Sequence, residues 1–204
     1  MASGDTKLTI CSDAMIMLGA SVISSFSEGT DEAQVADRLY DDIRDTLIMQ
    51  YSYSWSVKKV KLARLVDTPI NEWKYRYTLP GDILGNPKAL FTTGSVGAVP
   101  VRDFEIYGAD VNTNYESVWI DYQYRPEPAF FPPYFVNLLK HALAAAFAEP
   151  ITDQIQKADY YHRLAYGAPT DNMRGGLVRV AMNIDSVDRP PQNIMDFPLT
   201  DVRG

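Results

Sequence analysis

The chain has 204 residues, 46% of them hydrophobic and 22% charged, and carries a net charge of −7 at neutral pH. That length can bury a sufficient core without disulfides or metal, and that composition excludes collagen-like and wholly disordered classes. Cys11 is the only cysteine, which excludes an internal disulfide framework and a cysteine-cluster metal site. No apolar run approaches the roughly 18 residues of a spanning helix, so no membrane partner is expected. The N-terminus lacks the basic-then-apolar pattern of a secretory signal. An acidic balance is also the reverse of what domains gripping nucleic-acid phosphates usually carry. The expectation is a soluble protein of a reducing compartment, in one domain or two lobes.

Thr6 is placed to cap a first helix over residues 7–19, where Leu8, Cys11, Met15 and Leu18 recur at spacings of three and four. Cys11 lies in that stripe and reads as a small core residue. Thr30 caps a second helix running to about Tyr51, with Asp31 and Glu32 in its first turn. Its buried side is Ala36, Leu39, Tyr40, Ile43 and Leu47. From Val57 to Arg125, β-branched and aromatic residues are punctuated by Pro80-Gly81, Gly85-Asn86-Pro87, Gly94 and Gly97, the pattern of several short antiparallel strands. The clearest strand sets Val118, Ile120, Tyr122 and Tyr124 on one face and Trp119, Asp121, Gln123 and Arg125 on the other. Tyr75–Leu79 is another; Val57–Val66 is less regular, with lysines on both faces.

Pro132-Pro133 opens a third, Ala-rich helix with Phe135, Leu138, Leu139, Ala142, Leu143 and Ala146 inside, and Pro150 marks its end. Thr152 caps a fourth helix that stops near Gly167. Gly175-Gly176, Pro190-Pro191 and Pro198 then suggest a tail without a core of its own. The resulting expectation is an α+β fold: a four-helix bundle made of two α-hairpins, residues 1–56 and 131–169, with an inserted antiparallel β-rich lobe, residues 57–130, and an extended C-terminal tail, residues 170–204.

Charge is unevenly spread, with residues 1–50 summing to −6 and residues 51–80 to +4. Asp37, Asp41 and Asp45 fall at i, i+4 and i+8, so three carboxylates share one helix face; Arg38 and Arg44 offset part of the repulsion, Arg38 with Asp42 for example. The stripe reads as a solvated face, or as one turned to a basic neighbour or to passing DNA. Lys58, Lys59, Lys61, Arg64, Lys74 and Arg76 interleave with Trp55, Trp73, Tyr75 and Tyr77, a pattern that suits a half-exposed sheet or a platform for a single strand.

Catalytic signatures are sparse. There is no HExxH and no phosphate-binding loop. Thr93-Gly94-Ser95-Val96-Gly97 approaches a nucleophile elbow but lacks its first glycine and the following helix. His162 lies near Asp159 in sequence, as an acid–base pair would, and His141 is the only other histidine. Two histidines without supporting cysteines make no structural zinc site, and no cofactor is implied.

Four segments carry a likeness. The opening stretch Leu8-Thr9-Ile10-Cys11-Ser12-Asp13-Ala14-Met15-Ile16-Met17-Leu18-Gly19-Ala20 runs on through Val22-Ile23-Ser24-Ser25-Phe26. Leu39-Tyr40-Asp41-Asp42-Ile43-Arg44-Asp45-Thr46-Leu47 then leads to Trp55, Tyr77-Thr78-Leu79-Pro80-Gly81-Asp82 follows, and an Ala-rich helix enters Pro150-Ile151-Thr152. In this order and spacing the chain resembles phage head-to-tail adaptors, the tail tubular A proteins of short-tailed phages and their relatives, over about residues 7–168. The resemblance implies a structural, non-enzymatic role in the virion neck, assembled in the host cytoplasm. It implies a ring of copies, twelve in the family, that binds the portal protein on one side and a tail tube or nozzle protein on the other. DNA passes through such a channel without specific binding, and Asp37, Asp41 and Asp45 are the candidate channel-facing acidic stripe. In the tail, Leu177, Val178, Val180, Met182, Ile194, Met195, Phe197 and Leu199, with Arg179 and Arg189, are the candidate contacts to the portal or a neighbouring copy. The alternatives are a virion-associated glycan hydrolase, which needs a pair of carboxylates across a cleft, and a nucleic-acid-binding module on the basic strands at 57–77.

Overall fold

The computed structural model describes residues 4–95 and 97–188. It is an α+β fold with five α-helices and two antiparallel sheets among these residues. Helix α1 (Lys7–Leu18) is capped as expected: Thr6 Oγ1 accepts from the Thr9 amide at 3.2 Å, and Thr9 Oγ1 accepts from the Thr6 amide at 2.9 Å. It ends at Gly19 in the left-handed conformation, φ 74°. Ile10, Cys11, Ala14, Met15 and Leu18 form its buried stripe. Helix α2 (Asp31–Gln50) is capped by Thr30 and buries Ala33, Ala36, Tyr40, Leu47 and Ile48.

Helix α3 (Pro133–Thr152) buries nine side chains, from Phe135 to Ala148, spread around most of its circumference. It is the axis of the helical part; α1 and α2 meet each other sparingly and both lean on α3. Pro150 does not end it. A proline in the last turn forfeits one amide, and the helix closes two residues later, where Thr152 Oγ1 donates to the Ala148 carbonyl and Asp153 takes φ 52°. Thr152 therefore finishes α3 instead of capping α4 (Ile155–Tyr166), whose N-cap is Gln154. Helix α4 holds the end of α1: Lys157 Nζ donates to the Leu18 carbonyl at 2.7 Å and Tyr161 Oη to the Met17 carbonyl at 2.8 Å. Both donors satisfy carbonyls that a helix C-terminus leaves unpaired.

The expectation of an extended tail fails at its first part. Gly176–Val187 is a helix, α5, packed on α3 and α4 with Val178, Ala181 and Asp185 buried and Leu177 and Met182 against the core. The reason lies in Gly175-Gly176, which act as close-approach positions and not as breakers. A Cβ on Gly175 would stand 2.8 Å from the Gly167 Cα, and one on Gly176, at φ 49°, would stand 2.3 Å from the Leu164 carbonyl oxygen. Two bare glycines let the chain double back and lay α5 on α4. The helical part thus has a fifth helix that the pairing of two α-hairpins did not include.

Between α2 and α3 the chain builds two sheets. Strands β1 (Val57–Lys61), β7 (Trp119–Tyr124) and β4 (Ile83–Phe91) form one, with β7 central. The register of β4 shifts between Leu84 and Ala89, around Gly85 at φ 72° and Pro87, a bulge on an edge strand where proline costs no ladder bond. The second sheet runs β2 (Ala63–Arg64), β3 (Tyr75–Thr78), β6 (Asp110–Thr113) and β5 (Phe104–Tyr107). Leu62, Tyr77, Leu90, Val111, Val118, Ile120 and Tyr122 make their shared core.

Candidate functional site

The helical and β-rich parts meet at a joint that polar and aromatic side chains build together. Gln123 of β7, on the strand face it shares with Trp119, Asp121 and Arg125, is buried because that face meets the end of α2 there. Its Nε2 donates to the carbonyls of Ile48 at 2.8 Å and Tyr51 at 2.7 Å. Arg125 Nε reaches back to Asp45 on α2 at 2.7 Å, while its amide donates to the Asp82 carbonyl at 3.2 Å. Asp82 itself receives Lys58 Nζ at 3.1 Å and the Tyr122 hydroxyl at 2.9 Å. Burial is the largest single influence on Asp82 and favours its neutral form, but Lys58 and Tyr122 together outweigh it and hold the carboxyl below its ordinary range. On the other side of the joint, Trp55 packs against Tyr53, Phe131 and Phe135, with ring centroids 4.8–5.5 Å apart.

Asp185 of α5 completes this joint. It has no exposed surface and accepts from the Ser54 amide at 3.0 Å, the Ser54 hydroxyl at 2.8 Å and the Tyr134 hydroxyl at 3.2 Å. Helix α5 is therefore fastened to the point where the chain leaves α2 for β1.

The acidic stripe does not face the solvent as three free charges. Lys7 Nζ lies 2.9 Å from Asp37 and 3.3 Å from Asp41, Arg44 lies 2.7 Å from Asp41 and 2.8 Å from Asp45, and Arg125 closes on Asp45. Three cations thus answer three carboxylates. Burial opposes the charge on Lys7, but its bonds and attraction to Asp37 and Asp41 prevail and raise its pKa. The ammonium also lies 4.7 Å from the Phe26 ring and 5.3 Å from that of Tyr40. The Arg38–Asp42 pair is not formed.

The basic strands have a similar internal explanation. Lys58 covers the Tyr124 ring at 3.5 Å, Lys59 the Phe91 ring at 3.8 Å, Lys61 the Trp119 ring at 5.0 Å and Arg64 the Tyr75 ring at 4.9 Å. Lys59 also pairs with Asp121 at 3.6 Å. Of the aromatic residues in the expected platform, Tyr75 is covered by Arg64, Tyr77 lies in the core and Trp55 in the aromatic joint, and lysines along β1 blunt an edge strand.

Ser95 sits in an exposed loop that no helix follows. His141 Nδ1 bonds the Asn137 carbonyl at 2.8 Å, and the His162 ring lies 4.9 Å from that of Tyr166 without a hydrogen bond to Asp159. Burial raises the Cys11 thiol to about 12. Among the described residues no cluster of three or more His, Cys, Asp or Glu is placed to hold a metal ion, and no helix is long and apolar enough to cross a membrane. Of the tail candidates, Val178 is in the core, Leu177 and Met182 lean on it, and Val180 is half exposed. Arg179 is exposed, 3.6 Å from Asp171. Arg189, Ile194, Met195, Phe197 and Leu199 lie outside the described residues. Compared with models of protein families and with curated protein sequences, the chain matches none.

Proposed function

We propose that this chain is a structural head-to-tail adaptor of a tailed phage. Copies form a ring between portal and tail, twelve as in the family it resembles, and continue the DNA channel. One observation carries the reading: the segments that bear the resemblance, far apart in sequence, are tied together through partners that lie just outside them. The Arg44-Asp45 segment and the Pro80-Gly81-Asp82 turn are both tied to Arg125. Within the first segment, the Met17 and Leu18 carbonyls are gripped by α4, which begins at Ile155, shortly after Pro150-Ile151-Thr152. The likeness therefore falls on the contacts that fix one part of the molecule against the other, as a rigid ring subunit requires.

In this reading α1 to α4 form the bundle that lines the channel, the β-rich lobe faces outward or toward the tail tube, and α5 is an addition fastened at Asp185. Contact with the portal falls to the outward side of α5, with Arg179 and Val180, and to the residues after Asp188. Charge compensation along Asp37, Asp41 and Asp45 makes this stripe a weak repeller of phosphate. Passage of DNA then rests on the whole molecule's acidity, −7 per copy. Mixing the purified chain with portal rings and sedimenting the mixture tests the reading. A complex holding a ring of this chain supports it, and a chain left entirely in the monomer fraction overturns it.

A further inference from the structure

We propose that the outer face of the second sheet is a binding site for a neutral saccharide. The register sets Arg76 opposite Asn112 and Thr78 opposite Asp110; Asn112 and Asp110 in turn stand opposite Glu105 and Tyr107. Residues directly opposite across strands share a face, so these six side chains form one polar surface, while Tyr77 and Val111 point into the core. Pro69, Ile70 and Asn71 of the preceding loop wall off part of this surface. The result is a cleft of about 390 Å³ lined also by Arg76, Tyr107, Asp110 and Asn112, a size suited to a small ligand.

Two polar atoms in the side chains of this lining are buried without a hydrogen-bond partner, Arg76 Nε and Asn112 Oδ1. Asn112 is only 3% exposed. Buried groups of this kind are nearly always satisfied, so each of the two calls for a partner. One is a donor and the other an acceptor, on directly opposed residues. A hydroxyl, which both donates and accepts, is the neutral group that can answer either of them.

The surroundings select the ligand further. The carboxylates of Asp67 and Asp110 each stand 3.7 Å from the Arg76 guanidinium, beyond hydrogen-bond range, and Glu105 lies on the same face. Acceptors outnumber donors, so a ligand has to bring donors. An anion meets three carboxylates, a metal cation meets the charge of Arg76, and the hydroxyls of an uncharged sugar meet neither obstacle. The Tyr107 hydroxyl donates to Glu105, which also accepts from Trp73 Nε1 at 3.2 Å. That anchors a half-exposed ring before any ligand arrives. With Pro69 and the fully exposed Ile70 it offers an apolar strip for the C–H face of a pyranose. A peptide would bring one donor per residue, and side chains for which this cleft has no pockets.

Titration of the labelled full chain with methyl glycosides of glucose, galactose, mannose and N-acetylglucosamine, to about 50 mM, tests the proposal by NMR. Saturable shifts with at least one glycoside are expected at Arg76 Nε–H, the Asn112 side chain and the backbone of residues 69–71 and 107–112. Tyr107→Ala and Ile70→Ala, both at exposed positions outside the cores, should weaken that binding about tenfold or more while leaving the remaining spectrum unchanged. No saturable shift with any glycoside overturns the proposal and assigns the two atoms to water. So do equal shifts from glycerol or a blocked dipeptide, or shifts indifferent to Tyr107→Ala. None of these readouts depends on ring formation, so failure here leaves the adaptor reading standing.

Discussion

Asp185 and Gln123 hold the molecule together out of proportion to their size. Each is buried, and each pairs with backbone groups where the chain leaves α2 for β1. Asp185→Ala strands the Ser54 amide, and Gln123→Ala strands the Ile48 carbonyl and leaves the Tyr51 carbonyl with the Tyr53 amide alone. Each should cost roughly 1–3 kcal/mol in urea unfolding, against a few tenths for an exposed control such as Asp42→Ala. Equal midpoints for variant and control would refute the assignment. Glu28 offers a test by pH. Hydrogen bonds from the Ser24 side chain and backbone, from Thr30 and from the Ser25 amide hold its carboxyl at about 2, below its ordinary 4.5. A folded-state pKa below the unfolded one stabilises fully above the unfolded value, and that stabilisation is lost as pH falls from about 4.5 through about 2. The Glu28 carboxyl should therefore titrate with a midpoint near 2 by NMR, and the Ser24 and Ser25 amides should lose protection over the same interval. A midpoint near 4.5 would show that the loop does not grip it. Cys11, raised to about 12 by burial, should resist alkylation at pH 8 until the protein unfolds globally; rapid labelling of the native chain would contradict its place in the core.

At the scale of elements, the periodic helices were legible and the connections were not. Thr6, Gly19, Thr30 and the Pro132-Pro133 start mark helix ends through local chemistry that sequence displays directly. Pro150 and Thr152 misled because a proline in a final turn is tolerated. Helix α5 was missed for a different reason: glycine pairs signal a break, but here they remove the Cβ atoms that would collide with Leu164 and Gly167. Its signal was nevertheless present, since Leu177, Val178, Ala181, Met182 and Asp185 recur at spacings of three and four, with a carboxylate closing an otherwise apolar stripe. Alternation set Gln123 beside Trp119, Asp121 and Arg125, but alternation says which residues share a face, not what covers that face. Gly176→Ala, forced to φ 49° against backbone, should cost about 1–3 kcal/mol and speed amide exchange throughout α5. Truncation before Gly175 should lower the melting temperature of what remains, because it uncovers the core surface under Val178 and Ala181. An unchanged melting temperature would return these residues to a free tail.

For the whole molecule, the candidate site was legible as positions and not as chemistry. Spacing correctly put Asp37, Asp41 and Asp45 on one helix face, but their partners Lys7 and Arg125 come from distant points in the chain, and no local pattern announces them. Exposed apolar side chains such as Ile16, Val66, Val99 and Phe130 are distributed over many elements. The isolated chain should therefore scatter light as a monomer or weak oligomer and close into a ring only on its portal; a stable ring of the chain alone would contradict that. The adaptor role itself is tested most directly by cryo-electron microscopy of the neck of intact particles. The expected map shows a symmetric ring beneath the portal into which this fold fits, with α3 at the centre of each subunit's helical part and α5 fastened beside Ser54. A neck with no density for this fold, in particles whose proteins do not include the chain, would contradict the role outright.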